Sequence, residues 1–190
     1  MVELRDVRFA YEKKPVLEGL TLSLRSPGAY AIWGPSGRGK TTLLHLIAGL
    51  LRPTGGEVRI EGAPRVAVCF QEDRLMPWLT VLENVSLTAP GRKREERQER
   101  GRSCLRELGL LEAADAYPAE LSGGMKRRAA LARALAFEGD VLLLDEPYRA
   151  LDEAMHEQAR ACVRRRAQGR LLVLVTHDPA DAQGMERIVL

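Results

Sequence analysis

The spacing of apolar residues along the first part of the chain predicts several strands and one helix. Val2–Phe9 and Leu20–Leu24 alternate apolar and polar residues, which is typical of strands with one buried face. Ala29–Trp33 is a short apolar run followed by a glycine, and Thr41–Leu51 then repeats apolar residues at helical spacing. Arg52–Gly56 contains a proline and two glycines, so this segment is predicted to be a turn.

The rest of the chain continues to alternate between strand and helix patterns. Glu57–Glu61 and Arg65–Phe70 are predicted strands, and Arg74–Tyr117 has a helical and more highly charged pattern. Val141–Leu144 and Leu171–Val175 are continuous apolar runs, as expected for strands buried on both faces of a parallel sheet. Strands that alternate with helices predict an α/β core, and we interpret the charged helical segment as an insertion into that core.

The composition is that of a soluble globular protein with one domain. The 190 residues are 45% apolar and 29% charged, and no apolar run is long enough to span a membrane. The charged N-terminal sequence MVELRDVRFAY lacks the apolar core of a secretion signal. Cys69, Cys104 and Cys162 are scattered and odd in number, which favours a reducing cytosol over a disulfide framework or a zinc site.

The charge of the chain gives no indication of a nucleic-acid partner. The net charge is only +3, and the one dense run of charge is GRKREERQERGR at Gly91–Arg102. This run could bind an anionic partner, or it could be the solvated face of a helix. We favour the solvated face, because the glutamates within the run offset its bases.

The strongest motif is GPSGRGKT at Gly34–Thr41, which matches G-x-x-x-x-G-K-[ST] at every constrained position. The context disfavours a chance glycine-rich turn, since a predicted strand precedes the motif and a predicted helix follows it. Glycines let backbone N–H groups surround phosphate oxygens, and the helix N-terminus adds partial positive charge. Lys40 can then reach the β- and γ-phosphates, and the Thr41 hydroxyl can bind Mg²⁺.

VLLLDEP at Val141–Pro147 supplies two carboxylates at the end of a predicted buried strand. Open α/β sheets bind ligands at the carboxyl ends of their strands, which is where Asp145 is expected. Asp145 is predicted to hold Mg²⁺, and the adjacent Glu146 to orient or deprotonate an attacking water. Adjacent acids are often only a solvated pair, but the motif GPSGRGKT in the same chain favours the catalytic interpretation.

LSGGM at Leu121–Met125 is a second sequence that can cradle an anion, because Ser122 and two glycines precede a predicted helix. With both motifs present, the chain resembles the nucleotide-binding subunit of ATP-binding cassette (ABC) transporters over nearly its whole length. LSGGM is similar to the signature LSGGQ of that family. The resemblance implies that the helix after Ser122 faces the γ-phosphate of an ATP bound by a second copy, in a head-to-tail dimer with two ATP molecules.

Other residues match the family in order and spacing. Tyr11 matches the aromatic that stacks on adenine, Gln71 the glutamine that senses Mg²⁺ and the γ-phosphate, and His177 the histidine that contacts the γ-phosphate. The sequence at 150–152 resembles the loop that crosses the dimer interface, although Arg149 replaces the serine that usually precedes it.

The motifs and the resemblance together predict one set of site residues. The predicted catalytic residues are Lys40, Gln71, Glu146 and His177. The residues predicted to bind Mg²⁺ are Thr41, Gln71 and Asp145. The residues predicted to contact ATP are Tyr11, Gly34, Pro35, Ser36, Gly37, Arg38, Gly39, Lys40, Thr41, Thr42, Ser122, Gly123 and Gly124.

The resemblance also implies a fold and a domain organisation. We expect an α/β P-loop NTPase core with a mainly parallel sheet, an N-terminal antiparallel β subdomain and an inserted α-helical subdomain. Residues 1–190 form a single ABC ATPase domain in this prediction. Its nucleotide-binding core comprises 1–73 and 123–190, and its helical subdomain comprises 74–122. The chain stops within a strand at Met185–Leu190, so we expect a C-terminal regulatory segment to be absent.

The stretch Gln71–Leu87 resembles the corresponding region of nitrate, sulfonate and taurine importer ATPases. It implies solute import through separate transmembrane permease subunits, with an extracytoplasmic solute-binding protein as an indirect partner. The ATPase itself is expected in the cytoplasm, on the inner face of the membrane. Trp78 and Leu79 are either core of the helical insertion or, if exposed, a docking surface for a permease helix.

Three other functions remain open at this point. The chain could power an exporter or a lipoprotein-releasing complex, since those share the LTVLENV pattern. It could be a non-transport ABC protein that acts on ribosomes or DNA, although it lacks the second cassette or coiled coil usual there. It could also be a regulatory module without turnover, which Glu146 and His177 disfavour.

Overall fold

The computed structural model describes residues 1–12 and 14–190 and consists of two sheets and five α-helices. The strands are β1 (Val2–Tyr11), β2 (Lys14–Leu24), β3 (Gly28–Trp33), β4 (Gly55–Ile60), β5 (Val66–Cys69), β6 (Val141–Asp145), β7 (Leu171–Val175) and β8 (Glu186–Val189). The helices are α1 (Lys40–Ile47), α2 (Val81–Ser86), α3 (Arg94–Glu107), α4 (Gly123–Ala136) and α5 (Glu153–Arg166).

The chain divides into two compact units. The first unit comprises Met1–Val66, Asp140–Asp145 and Gly169–Leu190. The second unit comprises Ala67–Gly139 and Glu146–Gln168. The segment 74–122, predicted from the sequence as a helical subdomain, lies wholly within the second unit. The first unit holds both β sheets except for most of β5, and the second unit holds every α-helix of the described residues except α1.

The N-terminal sheet is antiparallel, with the strand order β2-β1-β4. Its central strand buries Val2, Leu4, Val7 and Phe9, which are the apolar positions of the alternating pattern. Asp6 has a φ of 48°, and the register with β2 shifts between Leu4 and Val7. This irregularity explains why the buried positions change from even to odd numbers along one strand. The antiparallel β subdomain is therefore confirmed.

The larger sheet is parallel, and in the first unit its strands follow the order β6-β7-β3-β8. Every residue of β6 and β7 is buried, in agreement with their continuous apolar sequences. Val175 at the end of β7 pairs with Ile32 of β3 on one side and with Asp145 of β6 on the other. The carboxyl ends of these three strands therefore lie side by side at one edge of the sheet.

Several predicted boundaries in the first unit are wrong, among them the start of β2, predicted at Leu20 and found at Lys14. The helix predicted over Thr41–Leu51 ends at Ile47, because Gly49 has a φ of 71° that an α-helix cannot contain. The turn predicted over Arg52–Gly56 overlaps β4, which begins at Gly55. Gly55 is paired with Arg8 of β1, so antiparallel pairing extends into the glycine pair.

The helical segment of the second unit is more interrupted than its periodicity predicts. Residues 74–80 are not helical, and α2 begins only after Thr80. Thr80 and Glu83 form a capping box, in which the Thr80 side chain accepts from the Glu83 N–H and the Glu83 carboxylate accepts from the Thr80 N–H. The charged run Gly91–Arg102 is mostly exposed along α3, as expected for a solvated helix face.

No helix within residues 1–12 and 14–190 combines the length and the apolar character that crossing a membrane requires.

Candidate functional site

The loop between β3 and α1 has the backbone of a phosphate cradle. Gly39 is the N-cap of α1 with a φ of 86°, and a Cβ there would lie 2.8 Å from Cγ1 of Val16. Only glycine therefore fits at this position. Gly37 also has a positive φ, of 80°, but a Cβ there would meet nothing within 4 Å. Pro35, Ser36 and Arg38, which lie among these glycines, are exposed, so this loop is open to a ligand.

Lys40 holds its ammonium group at the start of this loop. The side chain is 7% exposed, and Nζ donates to the carbonyl oxygens of Gly34 and Pro35 at 2.8 and 2.9 Å. These acceptors are neutral, so the positive charge of Lys40 is positioned by the loop and not neutralised by those contacts. A buried cation beside exposed backbone donors favours a polyanion such as a nucleotide phosphate.

Thr41 and Asp145 come together at the carboxyl end of the parallel sheet. Thr41 Oγ1 donates to Asp145 Oδ2 at 2.6 Å, although 104 residues separate them in the chain. Asp145 is 3% exposed and ends β6. A hydroxyl and a carboxylate oxygen are ligands that Mg²⁺ prefers, so this pair fits the predicted metal position.

His177 is exposed and follows β7 by two residues. Its turn is held by Thr176, which donates to Asp181 Oδ2 at 2.7 Å and accepts from the Asp178 N–H at 3.1 Å. Since β7 lies between β3 and β6, His177 leaves the same sheet edge as the phosphate cradle and Asp145. The first unit thus brings together Lys40, Thr41, Asp145 and the turn of His177.

Tyr11 lies at the end of β1 with half of its surface exposed, at 50%. Its ring meets that of Phe9 edge to face, with the centroids 4.9 Å apart. This contact supports the Tyr11 ring, and its exposed surface suits stacking on a flat aromatic ligand.

The signature-like sequence forms the predicted helix start in the second unit. Ser122 is the N-cap of α4, and its Oγ accepts from the Met125 N–H at 3.3 Å. A Cβ on Gly123 would meet nothing within 4 Å, whereas a Cβ on Gly124 would lie 3.1 Å from the Ala150 carbonyl oxygen. Ser122 and Gly123 are exposed, so this helix N-terminus is open to an anion.

Gln71 and Glu146 also lie in the second unit, and the structure connects them through a residue that sequence reasoning missed. Arg127 of α4 donates to the backbone carbonyl oxygens of Gln71 at 3.3 Å and of Glu146 at 2.8 Å. Arg127 is 4% exposed. The sequence did contain one indication of Arg127. This arginine lies on the same face of α4 as Ala130 and Leu131, three and four residues further on, which are apolar.

Trp78 is exposed, at 70%, so its interpretation as core is wrong. Half-buried Leu79, next to it, lines a groove of about 290 Å³. The other groove residues are Glu83, Ser86, Leu87, Arg94, Arg97 and Gln98. The exposed indole thus lies next in the chain to a groove that combines two leucines with polar and charged side chains, a mixture also found at protein interfaces.

Asn84 is a second residue that the sequence did not single out. It is fully buried, and its side-chain amide donates to the carbonyl oxygens of Met76, Leu79 and Thr80 at 3.0–3.1 Å. Its Oδ1 accepts from the Met76 N–H at 2.7 Å. One side chain therefore fixes the backbone on both sides of Trp78.

Comparison with known proteins identifies the family. The ABC transporter family profile matches residues 17–149. The chain is 43% identical, over its full length, to the aliphatic sulfonates import ATP-binding protein SsuB 1 of Paraburkholderia xenovorans, of which it spans 56%. It is 42% identical over 93% of its length to the taurine import ATP-binding protein TauB of Chromobacterium violaceum, of which it spans 72%.

A solved structure agrees with these sequence relatives. The dimeric post-hydrolysis state of an ATP-binding cassette bound to ADP and Pi superposes with a TM-score of 0.91 at 32% identity. The match covers the whole of this chain and 94% of the other. The P-loop NTPase fold predicted from the sequence is thereby confirmed. The chain therefore belongs to the ABC transporter family, as one of its ATP-binding cassettes.

Proposed function

We propose that this cassette is the ATP-hydrolysing subunit of an importer for small organic sulfonates. The observation that carries the proposal is the presence of two anion-binding helix starts in one chain, at α1 and at α4. In the head-to-tail dimer that we infer, each ATP lies between the α1 start of one copy and the α4 start of the other. The sulfonate and taurine relatives supply the substrate class.

The phosphate chain of ATP is gripped in this proposal by the loop before α1. The backbone N–H groups of residues 36–38 donate to phosphate oxygens, and Lys40 exchanges part of its carbonyl contacts for the β- and γ-phosphates. Thr41 and Asp145 would hold Mg²⁺, which when bound would neutralise negative charge on the phosphates. Tyr11 stacks on the adenine ring.

Hydrolysis requires a water in line with the γ-phosphate. Glu146, which directly follows Asp145 in the chain, accepts a proton from that water or orients it. His177 contacts the γ-phosphate, and Gln71 lies beside it. The partner copy closes the site with its Ser122–Gly124 backbone, whose N–H groups stabilise charge that develops on the phosphate.

Transport requires that movements of the cassette be transmitted to the membrane subunits. Trp78 and the groove beside it form the docking surface for a permease helix, which places the cassette on the inner face of the membrane. An extracytoplasmic binding protein delivers the substrate to the permease, so the substrate never contacts this chain. No nucleic-acid partner is part of this mechanism.

Reconstitution tests this function. The chain is purified with the permease that co-purifies from membranes of the source cells, placed in lipid vesicles, and supplied with ATP and the binding protein. We expect ATP-dependent uptake of labelled taurine or an alkanesulfonate, and loss of uptake in the Lys40→Ala variant. ATP-dependent movement of substrate in the opposite direction would replace the importer with an exporter. Hydrolysis without sulfonate uptake would reject the substrate class.

A further inference from the structure

Arg127 holds the loop of residues 70–74 by its backbone. Its Nη1 donates to the carbonyl oxygens of Phe70 and Gln71 at 2.6 and 3.3 Å. The same nitrogen lies 3.3 Å from Oδ1 of Asp73, whose side chain is 29% exposed. Three contacts from one buried guanidinium define where this loop lies, independently of the side chains that the loop carries.

The second terminal nitrogen of Arg127 reaches a different segment. Nη2 donates at 2.8 Å to the carbonyl oxygen of Glu146, which also accepts from the Arg149 N–H at 3.2 Å. Glu146 has a φ of 46°, a backbone conformation that costs a non-glycine residue free energy. The two donors favour this conformation, because they bind the carbonyl group that it presents.

Arg133 provides a contrast within the same helix. Its guanidinium donates to the carbonyl oxygens of Asp73 and Arg74 at 2.9 and 2.7 Å. Arg133 therefore holds the far end of loop 70–74, and these two bonds do not involve residue 146. Arg133 thus supports the loop, whereas Arg127 supports both the loop and the backbone of Glu146.

A guanidinium suits this role for physical reasons. It remains charged at any pH at which proteins fold, and its five N–H groups lie in one rigid plane. Carbonyl groups bound to opposite ends of that plane cannot move independently. Arg127 is four residues after Gly123, which corresponds to about 6 Å along a rigid helix. A displacement of the α4 N-terminus therefore reaches both segments.

We propose that Arg127 is a positioning residue, which fixes the Gln71 loop and the backbone of Glu146 to the signature-like start of α4. The proposal rests on the hydrolytic role of Glu146 given above. It adds that the helix which closes on the partner's ATP also sets the catalytic carboxylate of its own chain. The phosphate sites of the dimer are then linked through one side chain.

Steady-state kinetics of the full chain provide the first test. Arg127→Lys keeps the charge but cannot span both segments, so kcat should fall about 10- to 100-fold while KM for ATP changes less than about twofold. Arg133→Lys is the matched control and should keep kcat within about threefold of the wild type. Equal kcat losses in the two variants would overturn the proposal.

A double-mutant cycle separates positioning from general damage. If Arg127 acts through Glu146, adding Arg127→Lys to Glu146→Gln should lower kcat by less than about twofold further. A full additional loss would overturn the proposal. If Arg127→Lys does not fold, the Asp73→Asn variant can be used, because it weakens the ionic contact of the same guanidinium without changing Arg127 itself. It should lower kcat several-fold without raising KM, and an unchanged kcat in that folded variant would count against the proposal.

Hydrogen exchange tests the positioning without hydrolysis. Arg127→Lys should accelerate amide exchange in residues 70–74 and also in 146–150, whereas Arg133→Lys should affect only 70–74. Unchanged exchange in 146–150 in a folded Arg127→Lys variant would overturn the inference. A wild-type chain that does not hydrolyse ATP would overturn the proposed function instead, and the exchange pattern would still decide the role of Arg127.

Discussion

Glu146 supplies the carboxylate that the proposed mechanism uses to orient water. Glu146→Gln keeps the size of the side chain and removes its charge, so turnover should fall by roughly 10²–10⁴-fold while ATP binding persists. Phosphate release and nucleotide binding measure the two effects, and the variant should accumulate as an ATP-bound dimer in size-exclusion chromatography. Glu153→Gln, at the start of α5, is the control. Near-normal turnover of Glu146→Gln would reject the assignment.

Trp78 is the residue at which docking and folding can be separated. Because its side chain is 70% exposed, Trp78→Ala should change the free energy of unfolding by no more than about 0.5 kcal/mol. It should nevertheless weaken assembly with the permease and lower transport, since large aromatics commonly anchor interfaces.

The matched control for that change is Leu50→Ala, which removes an exposed apolar side chain from the first unit. A thermal melt and a permease pull-down on both variants give the comparison. Normal permease binding by Trp78→Ala would remove this residue from the docking surface. A loss of about 3–5 kcal/mol in stability, the size expected for a core residue, would contradict the exposed position of Trp78.

Whether the role of a residue can be predicted depends on where in the sequence its partners lie. Lys40 and Asp145 could be predicted, because the residues directly around each of them in the sequence identify the loop and the strand end that position them. Arg127 could not be predicted, because three of its acceptors are backbone carbonyl groups, up to 57 residues away, which leave no side-chain pattern. Asn84 was missed for the same reason, since it also binds backbone groups.

At the scale of elements, a cluster of ionic hydrogen bonds fastens α3 to α5. Glu107, at the end of α3, accepts from Arg165 at 2.6 Å and from Arg166 at 2.5 Å, and Cys162 lies 3.3 Å away. Burial opposes ionisation of Glu107, but the hydrogen bonds of Arg166, Arg165 and Cys162 outweigh it and lower its pKa to about 2. Burial, aided by the hydrogen bond to Glu107, raises the pKa of the Cys162 thiol to about 12.

This cluster makes stability depend on pH in a defined direction. A lowered carboxyl pKa contributes stability above the ordinary pKa of 4.5, and that contribution is lost as the pH falls towards about 2. Glu107→Gln should therefore lower the free energy of unfolding by about 1–3 kcal/mol at pH 7.

Urea titrations at pH 7 and at acid pH measure this effect. The difference between Glu107→Gln and the wild type should shrink as the pH is lowered from 4.5 towards 2. Glu112→Gln removes an exposed carboxylate of the same unit and is the control. A Glu107→Gln variant as stable as the wild type at pH 7 would show that the cluster adds nothing to the packing of α3 against α5.

The elements were predictable where periodicity alone determines them. The strands β6 and β7 are buried on both faces, and continuous apolar sequence is sufficient to identify them. Residues 74–80 have helical spacing of apolar residues, but Pro77 cannot donate a backbone hydrogen bond and Asn84 binds the carbonyl groups that a helix would use. Tertiary hydrogen bonds therefore override the local pattern there.

In the molecule as a whole, head-to-tail pairing is the reason that a short chain carries two anion-binding helix starts. One belongs to the ATP that the chain binds itself, and the other to the ATP of its partner copy. Lys40→Ala damages the first, because it removes the cation that grips the phosphates. Gly123→Asp damages the second, because it places a carboxylate against the partner's phosphate in a site of low dielectric constant.

Hydrolysis by mixtures of these two variants shows whether each ATP site is shared between two copies of the chain. Each variant alone forms dimers in which both sites are damaged, so each should be inactive. In a mixed dimer both faults fall in one site and leave the other intact, so an equal mixture should regain up to about a quarter of the wild-type rate of phosphate release. A mixture that remains as inactive as its two components, although mixed dimers form, would contradict the shared-site account.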